Sequence, residues 1–253
     1  MNHALFGNAN KTDRLLEITK PGFLLIDDGP IADAFLENFP RAKLFDPSQH
    51  SFNPLREINY KRARVFSETV YTASPQGENT LTVRNGKRAL TRLLLNTTRL
   101  DKLHASTDPG DIEAQATIDD LLLSTVLKRV LCNPTNFSFK GSVVAKIDRA
   151  ELGDFDAFIL ASFLVAQSQQ QVVVPDFGFY GRDFYTNLIR QERLTVCITS
   201  LSELSPKLQQ SVLTVKNKSI NGVNRDDAER LIFYTKHPQG NPTDLMDGEH
   251  LAS

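Results

Sequence analysis

Short apolar runs alternate along the chain with longer stretches in which apolar residues recur every three to four positions. That alternation predicts βαβ units, and so an α/β fold with a mainly parallel sheet flanked by helices. Strands are expected over 23–26, 42–45, 142–147, 171–174 and 194–199, with a weaker one over 211–215. Helical periodicity runs over 31–38, 59–72, 87–103, 112–131, 155–168, 184–190, 206–210 and 225–234. The run Q-V-V-V-P-D-F has the continuous β-branched character of a central strand covered on both faces. Pro175 removes a ladder donor and should end that strand just before Asp176. Between the second and third expected strands the chain is helical from 59 to 131, the pattern of an inserted bundle. Residues 1–240 are thus expected to form one α/β domain with that helical insertion, followed by a polar, non-periodic, flexible tail over 241–253.

Composition adds little. The 253 residues can bury one substantial core. Net charge is -1, so any attraction to nucleic acid must come from a local basic face. Cys132 and Cys197 lie far apart in apolar surroundings, as buried free thiols in a reducing compartment would. Apolar runs such as A-F-I-L-A fall short of the ~20 residues that span a bilayer. The first residues, M-N-H-A-L-F-G-N-A-N-K-T-D-R, lack the pattern of a secretory signal, and a cytoplasmic location is the default.

Candidate chemistry gathers at the expected strand ends, which are acidic: Asp27 and Asp28, Asp46, Asp148 and Asp176. Ligands of open parallel sheets bind at the carboxyl ends of strands, so several of these could frame a Mg²⁺ or phosphate site. Aspartates also cap helices and begin turns there for purely local reasons. The stretch F-L-L-I-D-D-G-P-I-A-D-A-F has the strand, turn and helix of a phosphate-binding unit, with Asp27, Asp28, Gly29 and Pro30 between strand and helix. It lacks the lysine and hydroxyl residue of G-x-x-x-x-G-K-[ST]. At ~5 Å and an effective dielectric of about 20, each carboxylate would repel a unit of phosphate charge by roughly 3 kcal/mol. A triphosphate in the usual pose is disfavoured there, whereas Mg²⁺ is a candidate cofactor.

On one continuous helix over 87–103, Arg88, Arg92, Arg99 and Lys102 would fall within an arc of about 80°. Such a stripe can contact DNA phosphates; it equally fits a solvated helix face. The five histidines, His3, His50, His104, His237 and His250, show no metal-ligand spacing, and H-E-x-x-H, C-x-x-C and G-x-S-x-G are missing.

The order of these features resembles the HerA/FtsK group of P-loop ATPases, which includes type IV secretion coupling proteins and viral genome-packaging ATPases. The resemblance runs over about residues 20–235, from F-L-L-I-D-D-G-P-I-A-D-A-F and K-L-F-D-P-S-Q-H-S-F-N-P-L through the segment beginning F-K-G-S-V-V-A-K-I-D-R to Q-V-V-V-P-D-F and the closing L-T-V-C-I-T-S. It implies that Gly29 matches a phosphate-loop glycine and Asp176 the metal-positioning acid. It also implies that Arg190 or Arg193 acts on a neighbouring subunit's nucleotide. Phe177 stands where a catalytic acid follows, and Ser200 where a glutamine sensor is usual. The expected function is a degenerate ATPase homologue, a scaffold or regulatory subunit of DNA translocation, packaging or conjugation that forms a homo- or hetero-oligomer with an ATPase-type subunit, with DNA as a candidate partner. Three alternatives stay open: a metal-dependent phosphohydrolase or nuclease using Asp27, Asp46 and Asp176; an active DNA-packaging ATPase with a non-standard phosphate loop; and an interaction protein without a ligand.

Overall fold

A computed structural model describes residues 2–7, 10–73, 81–104, 107–220 and 222–235; the tail 241–253, His237 and His250 lie outside the described residues. Seven strands form one sheet: β1 (His3–Phe6), β2 (Phe23–Asp27), β3 (Lys43–Phe45), β4 (Val143–Lys146), β5 (Gln171–Val174), β6 (Leu194–Ile198) and β7 (Asn217–Ile220), in the order β3-β4-β2-β5-β6-β1-β7. Pairing is parallel between β1 and β6, β1 and β7, β2 and β5, and β5 and β6. The expected α/β fold with a parallel sheet is thereby realised. The first strand is β1, however, not the run at 23–26. Four residues at the start of the chain carry too little periodicity to signal a strand, and β1 gains its place between β6 and β7 only by pairing with segments about 200 positions away.

The chain divides into two compact units. The first holds the described residues up to Leu44, Lys140–Ala145 and those from Gln169 onward. Its helices are α1 (Lys11–Ile18), α2 (Pro30–Asn38), then, further along, α9 (Phe177–Tyr180), α10 (Tyr185–Arg190), α11 (Pro206–Leu213) and α12 (Arg225–Thr235). Leu5, Phe23, Leu25, Val144, Val173 and Cys197 present one sheet face to Leu15 of α1 and to Ala32 and Phe35 of α2. Phe23 meets Phe35 and Phe39 edge-on, with centroids 5.3 and 4.9 Å apart. Cys197 is a free, buried thiol whose pKa burial pushes up to about 12, so it packs as an apolar residue. The weak strand expected over 211–215 is not one. Ser205 caps α11 by accepting from Leu208 N–H, Pro206 takes its first position, and the helix runs to Leu213 before β7 begins.

The second unit comprises Phe45–Phe139 and Lys146–Ser168. It contains α3 (Tyr60–Ala73), α4 (Leu81–Leu95), α5 (Pro109–Leu121), α6 (Thr125–Cys132), α7 (Arg149–Leu152) and α8 (Asp154–Gln167), with a 3₁₀ turn at Leu100–Lys102. The single helix expected over 112–131 is two, because Ser124 starts a new one by accepting from Leu127 N–H at 3.2 Å. The helix expected over 87–103 ends at Leu95. Asn96, Thr97 and Thr98 favour caps and turns over helix interior, and Asn53 Nδ2 donates to the Thr98 carbonyl at 2.7 Å.

Phe66 of α3 stacks on Phe163 of α8 with centroids 4.0 Å apart. Where α3 meets α4, a Cβ on Gly86 would lie 2.6 Å from Tyr71 Cζ and would overlap its Oη. Alanine is the better helix former by about 1 kcal/mol. A buried phenol ring cannot swing aside as a flexible chain end would, so Gly86→Ala is expected to destabilise the protein by about 1–3 kcal/mol in urea unfolding.

Candidate functional site

The first unit brings the carboxyl ends of four strands into one row. Leu25 pairs with Val173, Val174 with Val196, and Phe6 with Ile198, so β2, β5, β6 and β1 end nearly level. Gly7 N–H donates to the Ile198 carbonyl at 2.9 Å and ties the exit of β1 to that of β6. Asp27 and Asp28, then Asp176, then Thr199 and Ser200, then Gly7 follow one another along this edge.

At the β1 exit the chain passes from Gly7 to Asn10 and into α1 with Lys11 and Thr12 as its first two residues. Asn10 lies at φ 53°, ψ 32°, the left-handed region that glycine adopts freely and that asparagine tolerates better than most residues. Asn10 makes no side-chain cap, and the first intrahelical bond is Arg14 N–H to the Asn10 carbonyl, 3.1 Å. The N–H groups of the first turn therefore stand ahead of the helical ladder, where a helix attracts anions. Lys11 Nζ donates to Thr199 Oγ1 at 3.1 Å, which holds the ammonium over the exit of β6. Residues 5–12 read L-F-G-N-A-N-K-T, with Lys11 and Thr12 in the last two places of G-x-x-x-x-G-K-[ST] and Asn10 in that of its second glycine. Residues 8 and 9 lie outside the described residues.

The β2 exit is built the other way. The Asp27 carboxylate, 5 % exposed, turns back and accepts on Oδ2 from Gly29 N–H at 3.0 Å and Ala32 N–H at 2.8 Å. Pro30 occupies the first position of α2 and has no N–H to offer. The donors a phosphate would use are thus taken by the chain's own acid. Asp27, Asp28, Gly29 and Pro30 thus begin the second strand-to-helix unit of the fold, whereas Lys11 and Thr12 begin the helix of the first.

Burial raises the Asp27 pKa above the ordinary 3.8, against the lowering effect of the N–H bonds from Ala32 and Gly29. The bonds from Gly29 and Ala32 both fall on Oδ2, so an amide oxygen can keep them without a buried charge. Asp27→Asn is expected to hold or raise stability at neutral pH, and Asp27→Ala to lower it by about 1–3 kcal/mol through acceptor loss. The folded chain holds this proton to higher pH than the unfolded chain, so it binds more protons between 3.8 and the raised value. Stability relative to Asp27→Asn should therefore fall as pH rises through that window and level off above it. Urea unfolding of both proteins across that range reads the difference; a flat difference would contradict it.

The other expected site residues are scattered. Asp176, half-buried at the β5 exit, accepts from Phe179 N–H at 3.4 Å and caps α9. Phe177 is fully buried and meets Tyr185 edge-on with centroids 5.2 Å apart, so its position faces the core. Ser200 accepts from Ser202 N–H at 3.3 Å and from Asn224 Nδ2 at 3.3 Å, while buried Asp227 braces the same exit by accepting from Leu201 N–H at 3.0 Å. Arg190 is exposed on the last turn of α10. Arg193 donates from Nε and Nη2 to the Gln170 carbonyl at 3.1 and 2.7 Å, at the amino-terminal edge of β5 and β6, and burial lowers its pKa.

Asp46 and Asp148 belong to the second unit. Burial works to raise the Asp46 pKa, but bonds from Ser48 N–H at 2.7 Å and Gln49 Nε2 at 3.0 Å outweigh it and hold the carboxyl below its ordinary value. Asp148 caps α7 through Ala150 and Glu151. Among the described residues no group of three or more His, Cys, Asp or Glu side chains is placed to hold a metal ion. The four-cation helix stripe does not form: Arg88 and Arg92 lie on α4, whereas Arg99 lies beyond its end, paired with Asp101 at 2.7 Å, and Lys102 lies in the 3₁₀ turn.

Lys11 and Thr12 were not singled out among the residues expected from the sequence. The available signal was a short apolar run, H-A-L-F, followed at loop distance by Lys-Thr at a helix start.

No protein-family model matches the sequence, and no curated protein matches it. Solved structures do match in fold. VirB4 of Thermoanaerobacter pseudethanolicus is similar with a TM-score of 0.61 and 12% identity over 98% of this chain and 84% of that one. The plasmid coupling protein TrwB in complex with the non-hydrolysable analogue ADPNP gives 0.55 and 12% over 90% and 72%. TrwB with ADP and Mg²⁺ gives 0.55 and 12% over 92% and 74%. With the strand order and the β1–α1 exit already in place, the chain has the fold of VirB4 and TrwB, an α/β P-loop NTPase-like fold.

Proposed function

We propose that the chain binds a nucleoside triphosphate with Mg²⁺ at the β1–α1 exit and serves as a nucleotide-binding subunit of a DNA-transfer machine, with little or no hydrolysis of its own. The observation that carries this is the contrast between two neighbouring helix starts. That of α1 has no side-chain cap and carries Lys11 and Thr12, whereas that of α2 is closed by Asp27. The first-turn N–H groups of α1 and the Lys11 ammonium would hold the phosphates, with Lys11 giving up its bond to Thr199. The Thr12 hydroxyl and the Asp176 carboxylate fit Mg²⁺, a hard cation that takes oxygen ligands and, when bound, neutralises phosphate charge. TrwB is a protein solved with ADPNP and with ADP and Mg²⁺, and as a plasmid coupling protein it supports the assignment to DNA transfer.

The degenerate feature lies after Asp176 rather than in the lysine. Buried Phe177 leaves no carboxylate at that position to orient a water, which supports a role in binding and regulation beside an active ATPase subunit. Exposed Arg190 is the better placed of the two arginines to reach a neighbouring subunit, because Arg193 is spent on Gln170.

Calorimetric titration with Mg-ATP, followed by steady-state hydrolysis, tests the proposal. Saturable binding with background turnover is expected. Absence of binding overturns the assignment, and turnover that Asp176→Ala abolishes overturns the non-hydrolysing part.

A further inference from the structure

The second unit gathers positive charge where a solvated face would scatter it. Ala63, Phe66 and Val70 of α3 and Val83, Leu90 and Leu94 of α4 are buried, and Thr91 Oγ1 donates to Ser67 Oγ at 3.0 Å between the two helices. Tyr60 and Arg64 follow one another at i, i+4 on α3, and Arg84, Lys87, Arg88 and Arg92 at i, i+3, i+4, i+8 on α4, so each set forms one stripe. Both stripes line one groove of about 590 Å³.

Two of these cations are neutralised locally: Arg64 by Glu68 at 2.9 Å, and Arg92 by Asp111 of α5. Arg84, Lys87 and Arg88 have no ion pair among the described residues, in a chain whose net charge is -1. At the end of the groove Tyr60 leaves its ring 65 % exposed.

We infer that this groove binds a single-stranded nucleic acid, with its phosphates on Arg84, Lys87 and Arg88 and a base stacked on Tyr60. A basic track joined to an exposed aromatic ring is how proteins hold single strands without reading sequence. The exposed Tyr60 ring offers stacking to an unpaired base, which a duplex, with its bases already stacked, does not present. An acidic peptide would satisfy the cations but leave the ring without a planar partner. A membrane surface is flat and would meet this concave groove only at its rim. The inference names a partner for the DNA-transfer reading, on which it draws, but it does not depend on nucleotide binding.

The test is fluorescence anisotropy of a labelled 20-nucleotide oligothymidylate with the full chain over a range of salt. Arg84→Glu/Arg88→Glu should weaken binding more than tenfold and flatten the salt slope by about 1.4, from about 0.7 per phosphate contact. Tyr60→Ala should weaken it about tenfold, and Tyr60→Phe should restore it. Arg99→Glu/Lys102→Glu, which lies outside the groove, should leave it unchanged, and circular dichroism checks that each variant is folded. The inference is overturned by any of three results: the wild type fails to bind the oligonucleotide, it binds a duplex more tightly, or Tyr60→Ala binds as the wild type does. Polyglutamate or anionic vesicles outcompeting the oligonucleotide for the same residues would overturn it as well. Lys11→Ala should bind the oligonucleotide normally, so loss of the nucleotide reading alone would leave this result standing.

Discussion

Lys11→Ala is expected to weaken Mg-ATP binding by about a hundredfold while leaving the folded structure intact. The ammonium contributes a charge-assisted hydrogen bond, worth about 1.5–3 kcal/mol, to an anion held in a partly desolvated loop. What the substitution removes from the free protein is a single half-buried bond to Thr199 Oγ1 at 3.1 Å, about 1 kcal/mol at most. Affinity and stability should therefore separate. Titration calorimetry should lose its signal at concentrations that saturate the wild type, whereas the urea midpoint should hardly move. The same substitution made at the other helix start, Asp27→Ala, should show the reverse, with altered stability and retained nucleotide binding. If Lys11→Ala bound Mg-ATP like the wild type, the β1–α1 exit would not be the phosphate site.

Phe177→Ala should cost about 3–5 kcal/mol of stability, more than any other truncation to alanine considered. The ring is fully buried and edge-on to Tyr185, itself fully buried, so truncation leaves a cavity between aromatic neighbours that cannot collapse far. Against a total stability of about 5–15 kcal/mol, that is a large share. Phe177→Glu, the change that would rebuild an acid after Asp176, should not create turnover. It should destabilise the protein at least as much, because a carboxylate there would be buried without a partner. Chemical denaturation with a parallel ATPase assay distinguishes this from a latent active site: a folded, hydrolytically active Phe177→Glu protein would refute it.

The two aspartates at the exits of β2 and β5 show how far local reading reaches. The Q-V-V-V strand and its termination before Asp176 were legible because β-branched continuity and a proline act within the segment itself. Asp27 was visible as an acid at a strand end, yet ligand and cap look alike in sequence. The difference is whether its oxygen meets Gly29 and Ala32 N–H groups, and that is settled by the path of the turn. Arg88, Arg92, Arg99 and Lys102 were aligned by assuming one helix. The break after Leu95 separates them and reveals different neighbours, Arg64 and Tyr60 across the groove from α4.

Sequence by itself determined the α/β class, most of the strands and the acidic character of the sheet's carboxyl edge, since these follow from apolar periodicity and local turn chemistry. Tertiary structure alone decided which strand-to-helix exit carries a lysine and which is closed by its own aspartate. H-A-L-F is four ordinary residues until β6 and β7 pair with it on either side, and Lys11 meets Thr199 only once β1 lies beside β6. Parallel pairing joins segments far apart in the chain through hydrogen bonds and burial that no short window contains. The resemblance identified the fold correctly but set its first strand one unit too late for that reason.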